Sequence, residues 1–293
     1  MQRTGSDLRA QLEALIDERA ARTPEWRAFY EMLRVAARAL EGDPRAVLLA
    51  AQPSPSRPER HTALWCAALV VDSVELARLV SRLAEAAIPY TSADTGAPTL
   101  AGLHLADAEA VALLEAVLSH DRDRVAAVAG RAGVDAAALG TVAAFAIPVL
   151  LCAAARDVGA LVPANWAEGY CPICGEWPLL AELRGLDRSR HLRCGRCAGD
   201  WVIAWLACPY CGERDHERLG ALVPENGRET RRAETCATCR GYLKTVTTLQ
   251  ALHPVELRLR DLETVELDVA AVDADYRRPG AAALAGTIRV VGA

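Results

Sequence analysis

The sequence predicts an α+β protein, with an N-terminal helical bundle domain followed by two tandem metal-binding ribbons. Three observations predict it. Apolar residues recur at helical spacing through the first 165 residues. Eight cysteines between Cys171 and Cys239 fall into four CxxC pairs. Short strand-forming runs bounded by turn residues lie between those pairs. The expected boundaries are a helical domain over 1–165, a first ribbon over 166–207, a second ribbon over 208–250 and a C-terminal segment over 251–293.

The helical domain opens with Leu8–Ala21, where Leu8, Leu12, Leu15 and Ile16 share one helix face. Thr23-Pro24-Glu25 restarts the chain, with Thr as cap and Pro at the first helical position. Trp26, Phe29, Tyr30 and Leu33 continue an apolar stripe that reads as core, and Gly42-Asp43-Pro44 breaks it. Gln52–Arg60 holds three prolines and reads as an extended linker. Helices are expected at Thr62–Ala87, Asp107–His120, Arg122–Ala132 and Asp135–Ala155, with a loop at Ser92–Thr99. No alternating apolar runs suggest strands in this half. The uncharged run Ala136–Ala155 approaches the length of a membrane span. It is Ala-rich, contains Gly140 and Pro148, and lacks flanking aromatic anchors, so it reads as a buried core helix and no membrane span is expected.

The character changes at Pro163–Tyr170. Leu179–Arg184 and Ser189–Arg193 flank a Gly185-Leu186-Asp187 turn, and Trp201–Leu206 (WVIAWL) reads as a short strand. Arg218–Val223 and Glu229–Glu234 flank Pro224–Gly227, whose Asn-Gly is a strong hairpin signal. Tyr242–Leu249 alternates like a half-buried strand. His253–Tyr276 fits strand or helix, and Arg277–Ala293 is Gly/Ala-rich and expected to be loosely held.

The four pairs are Cys171/Cys174, Cys194/Cys197, Cys208/Cys211 and Cys236/Cys239, with gaps of 19, 10 and 24 residues. A CxxC turn directs two thiolates to one point, and two such turns supply tetrahedral coordination. Gly175, Gly199, Gly212 and Gly241 follow the second cysteine directly or one place on, where positive φ would turn backbone N–H groups toward the sulfurs. Pro172 and Pro209 fix φ inside two of the turns. Disulfides across two-residue loops would be strained. Sequential pairing is favoured over cross-bracing: Cys171, Cys174, Cys194 and Cys197 close around one hairpin, and Cys208, Cys211, Cys236 and Cys239 around a second. Ala198–Ala207 would then join the ribbons as a strand. Four thiolates suit zinc or a single rubredoxin-type iron. A closed four-sulfur shell leaves no position for a catalytic water, so hydrolytic metal catalysis is not expected.

Other chemistry finds little support. The net charge of −5 runs against the basic surplus of nucleic-acid binders. Tyr170–Leu249 carries 12 Arg/Lys against 10 Asp/Glu, and two divalent metals in four-thiolate shells would bring it to about −2. None of His61, His104, His120, His191, His216 and His253 is paired at metal spacing. Cys66 and Cys152 sit in apolar stretches and read as buried small hydrophobes. No nucleotide loop, G-x-S-x-G or HExxH occurs. Met1–Asp7 is polar with no apolar stretch after it, so no secretory leader is expected. Cytoplasmic CxxC pairs serve as metal ligands or redox groups more often than as disulfides.

YCPICGEWPLLAEL, HLRCGRCAGDWVIAWLACPYCG and AETCATCRGYLKT resemble the FdhE family of formate dehydrogenase accessory proteins. The resemblance is specific over Tyr170–Thr245 and departs from the family pattern nowhere in the knuckles. It implies a cytoplasmic, non-enzymatic maturation factor or chaperone that binds the formate dehydrogenase catalytic subunit. It implies rubredoxin-like modules holding two metal ions, iron first and zinc as the alternative, on Cys171, Cys174, Cys194, Cys197, Cys208, Cys211, Cys236 and Cys239. The charge balance predicts no nucleic-acid partner, and a homodimer stays open. The competing readings are a rubredoxin-like electron carrier and a zinc-ribbon nucleic-acid binder.

Overall fold

The computed structural model describes residues 5–43, 45–58, 61–90, 100, 102–224, 230–280 and 288–293. The expected loop at Ser92–Thr99 and the Asn226-Gly227 turn lie outside the described residues. The fold is α+β, and the chain divides into two compact units. The first comprises Met1–Ser56, Cys66–Val158 and Thr287–Ala293; the second comprises Arg57–Trp65 and Gly159–Gly286.

The first unit is built from α1 (Gly5–Arg22), α2 (Arg27–Glu41), α3 (Ser73–Ala87), α4 (Asp107–Leu118), α5 (Arg122–Ala132) and α6 (Ala136–Val158). Leu12 and Ile16, one turn apart on α1, are buried. Pro24 starts a short 3₁₀ turn before α2. Thr23 does not cap it through its side chain; its hydroxyl hydrogen-bonds Tyr30 Oη at 2.6 Å and donates to the Arg19 carbonyl. Asp72, Asp121 and Asp135 fix the starts of α3, α5 and α6 by accepting from the N–H groups of Glu75, Arg124 and Ala138. Helix α6 is long and apolar enough to cross a membrane, but it buries Leu139, Val142, Ala146, Ile147 and Leu150 against α2, α3, α4 and α5. Those four neighbours make it a core helix.

Two features depart from the expected all-helical reading. The segment 62–87 is not one helix. Thr62–Trp65 forms a turn, Ala68–Val71 is a strand, and α3 begins only after the Asp72 cap. This β2 (Ala68–Val71) pairs antiparallel with β1 (Leu48–Gln52) and parallel with β9 (Arg289–Gly292). The final residues, expected to be loose, therefore end in a strand whose Val290 is buried beside Ile288. The strands were hidden because four- and five-residue apolar runs carry no periodicity that separates strand from helix.

The second unit carries a six-stranded sheet in the order β5-β4-β3-β8-β7-β6. Its strands are β3 (Pro178–Arg184), β4 (Ser189–Cys194), β5 (Asp200–Val202), β6 (Leu219–Leu222), β7 (Arg231–Cys236) and β8 (Tyr242–Thr248). Each ribbon contributes three strands in the same sense across the sheet, and the ribbons join through the parallel pair β3–β8. The second ribbon thus repeats the first by translation, about 14 Å for three strand spacings. The WVIAWL strand is shorter than expected. Pairing with β4 stops at Val202, and the chain then turns away with Trp205 and Leu206 exposed.

The segment that fitted either strand or helix forms α7 (Pro254–Glu263) and α8 (Val265–Asp273). Pro254 at the first helical position and His253 Nδ1, which accepts from the Val255 N–H, start α7. Leu257 packs with Leu180 and Val246, while Leu267 and Ala271 pack with Ala233 and Tyr242. A buried ionic network locks both helices to β8. Lys244, the chain's only lysine, has its side chain fully buried. Its Nζ lies 2.7 Å from Asp261 Oδ1, 2.6 Å from the Asp261 carbonyl and 2.7 Å from Asp268 Oδ2. Arg278 pairs with both carboxylates, and Tyr242 Oη donates to Asp268. A second network centres on the buried Glu182, which pairs with Arg193 and Arg184 and accepts from Thr248 Oγ1 and the Leu252 N–H.

Candidate metal centres

Four cysteine knuckles, one at the end of each hairpin arm, supply the candidate ligands. The four turns share one backbone pattern. The residue after the second cysteine donates to the carbonyl of the first: Gly175 to Cys171, Ala198 to Cys194, Gly212 to Cys208 and Arg240 to Cys236. The first cysteine's N–H then bonds the carbonyl five residues on, at Glu176, Gly199, Glu213 and Gly241. The N–H groups of Ile173 and Arg196 point at the sulfurs of Cys171 and Cys194, both at 3.4 Å.

Positive φ falls on the residue after the second cysteine in every knuckle: Gly175, Ala198, Gly212 and Arg240. The sequence reading is thus right for Gly175 and Gly212 but not for Gly199 and Gly241. Those two glycines answer a different need. A Cβ on Gly199 would lie 2.8 Å from Cys171 Sγ, and one on Gly241 would lie 2.7 Å from the Tyr210 ring and 3.1 Å from Cys239 Sγ. They leave room for the sulfurs rather than permit a turn.

The sulfurs gather in two groups, with the sequential pairing expected. Cys171, Cys174, Cys194 and Cys197 form one, and Cys208, Cys211, Cys236 and Cys239 the other; within each group all sulfurs lie within 4.8 Å of one another. Across the first, Cys171–Cys197 is 3.4 Å and Cys174–Cys194 is 3.5 Å. Across the second, Cys208–Cys239 is 3.6 Å and Cys211–Cys236 is 3.7 Å. A tetrahedron with metal–sulfur bonds of about 2.3 Å has edges of about 3.8 Å, close to these spacings. The ten cysteines form no disulfide. Each cluster can therefore hold one thiophilic ion, zinc or iron.

The electrostatics point the same way. Burial pushes the thiols of Cys171 and Cys197 well above the ordinary value, while contacts from the other three sulfurs hold Cys194 low against its own burial. In the second cluster burial lifts Cys239 to about 11, and contacts from the Cys239 and Thr238 N–H groups help hold Cys236 down. Several thiolates crowded out of water cannot all carry charge together, and a bound divalent cation removes that penalty.

Residues outside the clusters do other work. His191 Nδ1 bonds Asp200 at 2.8 Å and His216 is exposed, so neither adds a ligand. Cys152 is buried as expected, but Cys66 is only half-buried and has φ +50° in the turn before β2. A contribution invisible in the sequence comes from Ala63 and Leu64. Their N–H groups donate to the Pro172 and Ile173 carbonyls, both at 2.8 Å, and strap the first knuckle. Gly169 packs so closely on the Pro209 carbonyl that no Cβ could be placed there.

Residues 206–285 match the family model described as FdhE, C-terminal domain. A protein from Stutzerimonas stutzeri (strain A1501) called Protein FdhE homolog is 34% identical over 114 residues, 38% of this chain and 36% of that protein. A Rhizobium meliloti (strain 1021) protein of the same name is 31% identical over 144 residues, 47% of this chain and 45% of that protein. The chain thus matches less than half the length of these relatives. The crystal structure of the FdhE protein from Pseudomonas aeruginosa is similar with a TM-score of 0.54 at 22% identity, over 97% of this chain and 98% of that one. At that identity the likeness speaks for the fold.

Proposed function

We propose that the chain is a member of the FdhE family and an accessory protein for the assembly of formate dehydrogenase, binding the catalytic subunit without performing a reaction of its own. The observation that carries this reading is the pair of four-cysteine clusters on one continuous sheet, the second of which lies within the stretch that matches the family's C-terminal domain. A four-sulfur shell has no open position for a substrate or a hydrolytic water. Such centres hold the short strands of a ribbon in place and give a partner a rigid surface. In this reading the eight cysteines are the ligands of two metal ions, iron by family resemblance with zinc as the alternative, and the protein works in the cytoplasm.

The test is an affinity pull-down of the tagged chain from anaerobic extract of its own cells, with mass spectrometry of what co-elutes. Enrichment of a formate dehydrogenase catalytic subunit, lost in the Cys208→Ser/Cys211→Ser variant, supports the reading. Its absence, with a redox protein or nucleic acid in its place, sinks it. One observation favours a second reading, that of a rubredoxin-like electron carrier: Cys211 reaches solvent. A reversible one-electron couple in the iron-loaded chain would support that reading, and its absence would remove it.

A further inference from the structure

We propose that the two centres are not equivalent: the first is a permanently closed structural centre, and the second is the exchangeable one, whose Cys211 gives way to an incoming soft donor. The inference rests on the reading that both clusters hold metal. It goes beyond that reading by assigning them different work.

Four observations carry it. Cys171, Cys174, Cys194 and Cys197 are all buried, none more than 3% exposed, whereas Cys211 is exposed and Cys239 half-buried. A cavity of about 450 Å³ opens onto Cys211, walled by Tyr170, Trp177 and Tyr210 with Arg214 in its lining. A second cavity of about 320 Å³ reaches Cys208 and Cys236. The first cluster, in contrast, is strapped from outside. Ala63 and Leu64 hold one of its knuckles, and Arg258 donates to the Gly195 carbonyl of the other at 2.7 Å.

Exchange in a filled four-sulfur shell has two requirements. An incoming donor must reach bonding distance, and the departing sulfur must find water. Cys211 meets both, since it faces solvent and lines a cavity wide enough for a small chelator or a thiol-bearing side chain. With a metal bound, the Cys211 sulfur would leave as thiolate and take up the proton that an incoming thiol gives up, or one from water when a chelator enters already deprotonated; the incoming donor would fill the vacated position, and no electrons change hands. Cys174 and its three partners meet neither requirement. Ligand departure there needs the knuckle itself to open first.

The experiment uses the full chain loaded with zinc, its content fixed beforehand by elemental analysis. Transfer of zinc to excess 4-(2-pyridylazo)resorcinol is followed by absorbance. The expected result is two phases of one equivalent each, separated at least tenfold in rate. Cys211→Ser abolishes the fast phase alone and Cys174→Ser the slow phase alone. A parallel measurement needs no variant: brief iodoacetamide treatment of the zinc-loaded wild type, followed by peptide mass spectrometry. Cys211 is expected to be alkylated at least tenfold faster than any cysteine of the first cluster. A single release rate for both equivalents, or comparable alkylation of Cys174 and Cys211, overturns the inference while leaving two metal centres standing. A chain that takes up one zinc, and keeps it in Cys211→Ser, removes the second centre and this inference with it.

Discussion

Replacing Asp268 by Asn should loosen α7 and α8 without disturbing the clusters. Lys244 Nζ has two carboxylates and one carbonyl as its acceptors, and Asp268 Oδ2 stands 2.7 Å away in a site the Lys244 side chain does not share with water. Asn keeps the shape and an acceptor for Tyr242 Oη but removes the charge. Asp261 stays at 2.7 Å and Arg278 stays beside it, so Lys244 is not abandoned. The loss is then at least that of one hydrogen bond to a charged group, about 2 kcal/mol, because Arg278 also loses the charge it faces at Asp268. Lys244 itself supplies the assay, because it is the only lysine in the chain. An amine-acylating reagent modifies its Nζ only when the helices lift off β8, so the rate reports the opening equilibrium. About 2 kcal/mol corresponds to an acylation rate about 30-fold faster than wild type. Asp273→Asn, on the exposed side of α8, should leave the rate unchanged. A change below threefold in Asp268→Asn would refute the argument that the Lys244 network holds the helices down.

Three further outcomes are expected. Gly199→Ala should strip the first cluster of metal while the second stays loaded, because its Cβ would meet Cys171 Sγ; Gly130→Ala, with open space around its Cβ, should retain both metals, as elemental analysis will read. Leu150→Ala, in the buried face of α6, should cost about 3 kcal/mol in denaturant unfolding of the first unit and leave metal content unchanged. Acid should weaken the second unit in two stages. Burial holds His253 below its ordinary 6.5, so the folded state binds fewer protons than the unfolded one, and stability falls as the pH drops below about 6.5. Burial would raise Asp261, yet Arg278 and Lys244 hold it below its ordinary 3.8, so its contribution is present above that value and lost beneath it. Unfolding curves at pH 7 and 5.5 should differ in wild type and converge in His253→Asn, which keeps a capping acceptor without the titration.

What could be read from the sequence followed from local rules. The knuckles were legible because CxxC spacing and its glycines are imposed by one turn and one tetrahedron. The hairpins at Gly185 and on either side of residues 225–229 were legible from alternation and turn residues. Helices α4, α5 and α6 were legible from periodicity, and Asp121 and Asp135 mark two of their starts. The parts that were not legible depend on distant segments. β2 is a strand because β1 precedes it by 15 residues and β9 arrives from the far end of the chain. α7 and α8 are helices because their apolar faces find Leu180, Val246 and Tyr242 on the sheet. The strap of Ala63 and Leu64 uses backbone N–H groups, which leave no trace in residue identity.

The same division explains why two ribbons of equal sequence pattern are physically unequal. CxxC spacing, turn hydrogen bonds and strand order repeat from one to the other, and the sheet continues through β3 and β8 as though one unit had been copied. Nothing in that repeated set decides whether a sulfur meets water. Cover decides it, and cover comes from outside the repeat. Residues 62–65 and α7 lie over the first pair of knuckles, while Gly169 and the Gly241–Arg277 bridge brace the second pair at Pro209 and Arg240 yet leave Cys211 in the open. A single point substitution in a knuckle would not make the centres alike. Removing the strap would: replacing Ala63 by Pro deletes one of its two N–H donors. Zinc release from the first cluster should then quicken toward the rate of the second, and an unaltered slow phase would show that burial by the strap is not what keeps that centre closed.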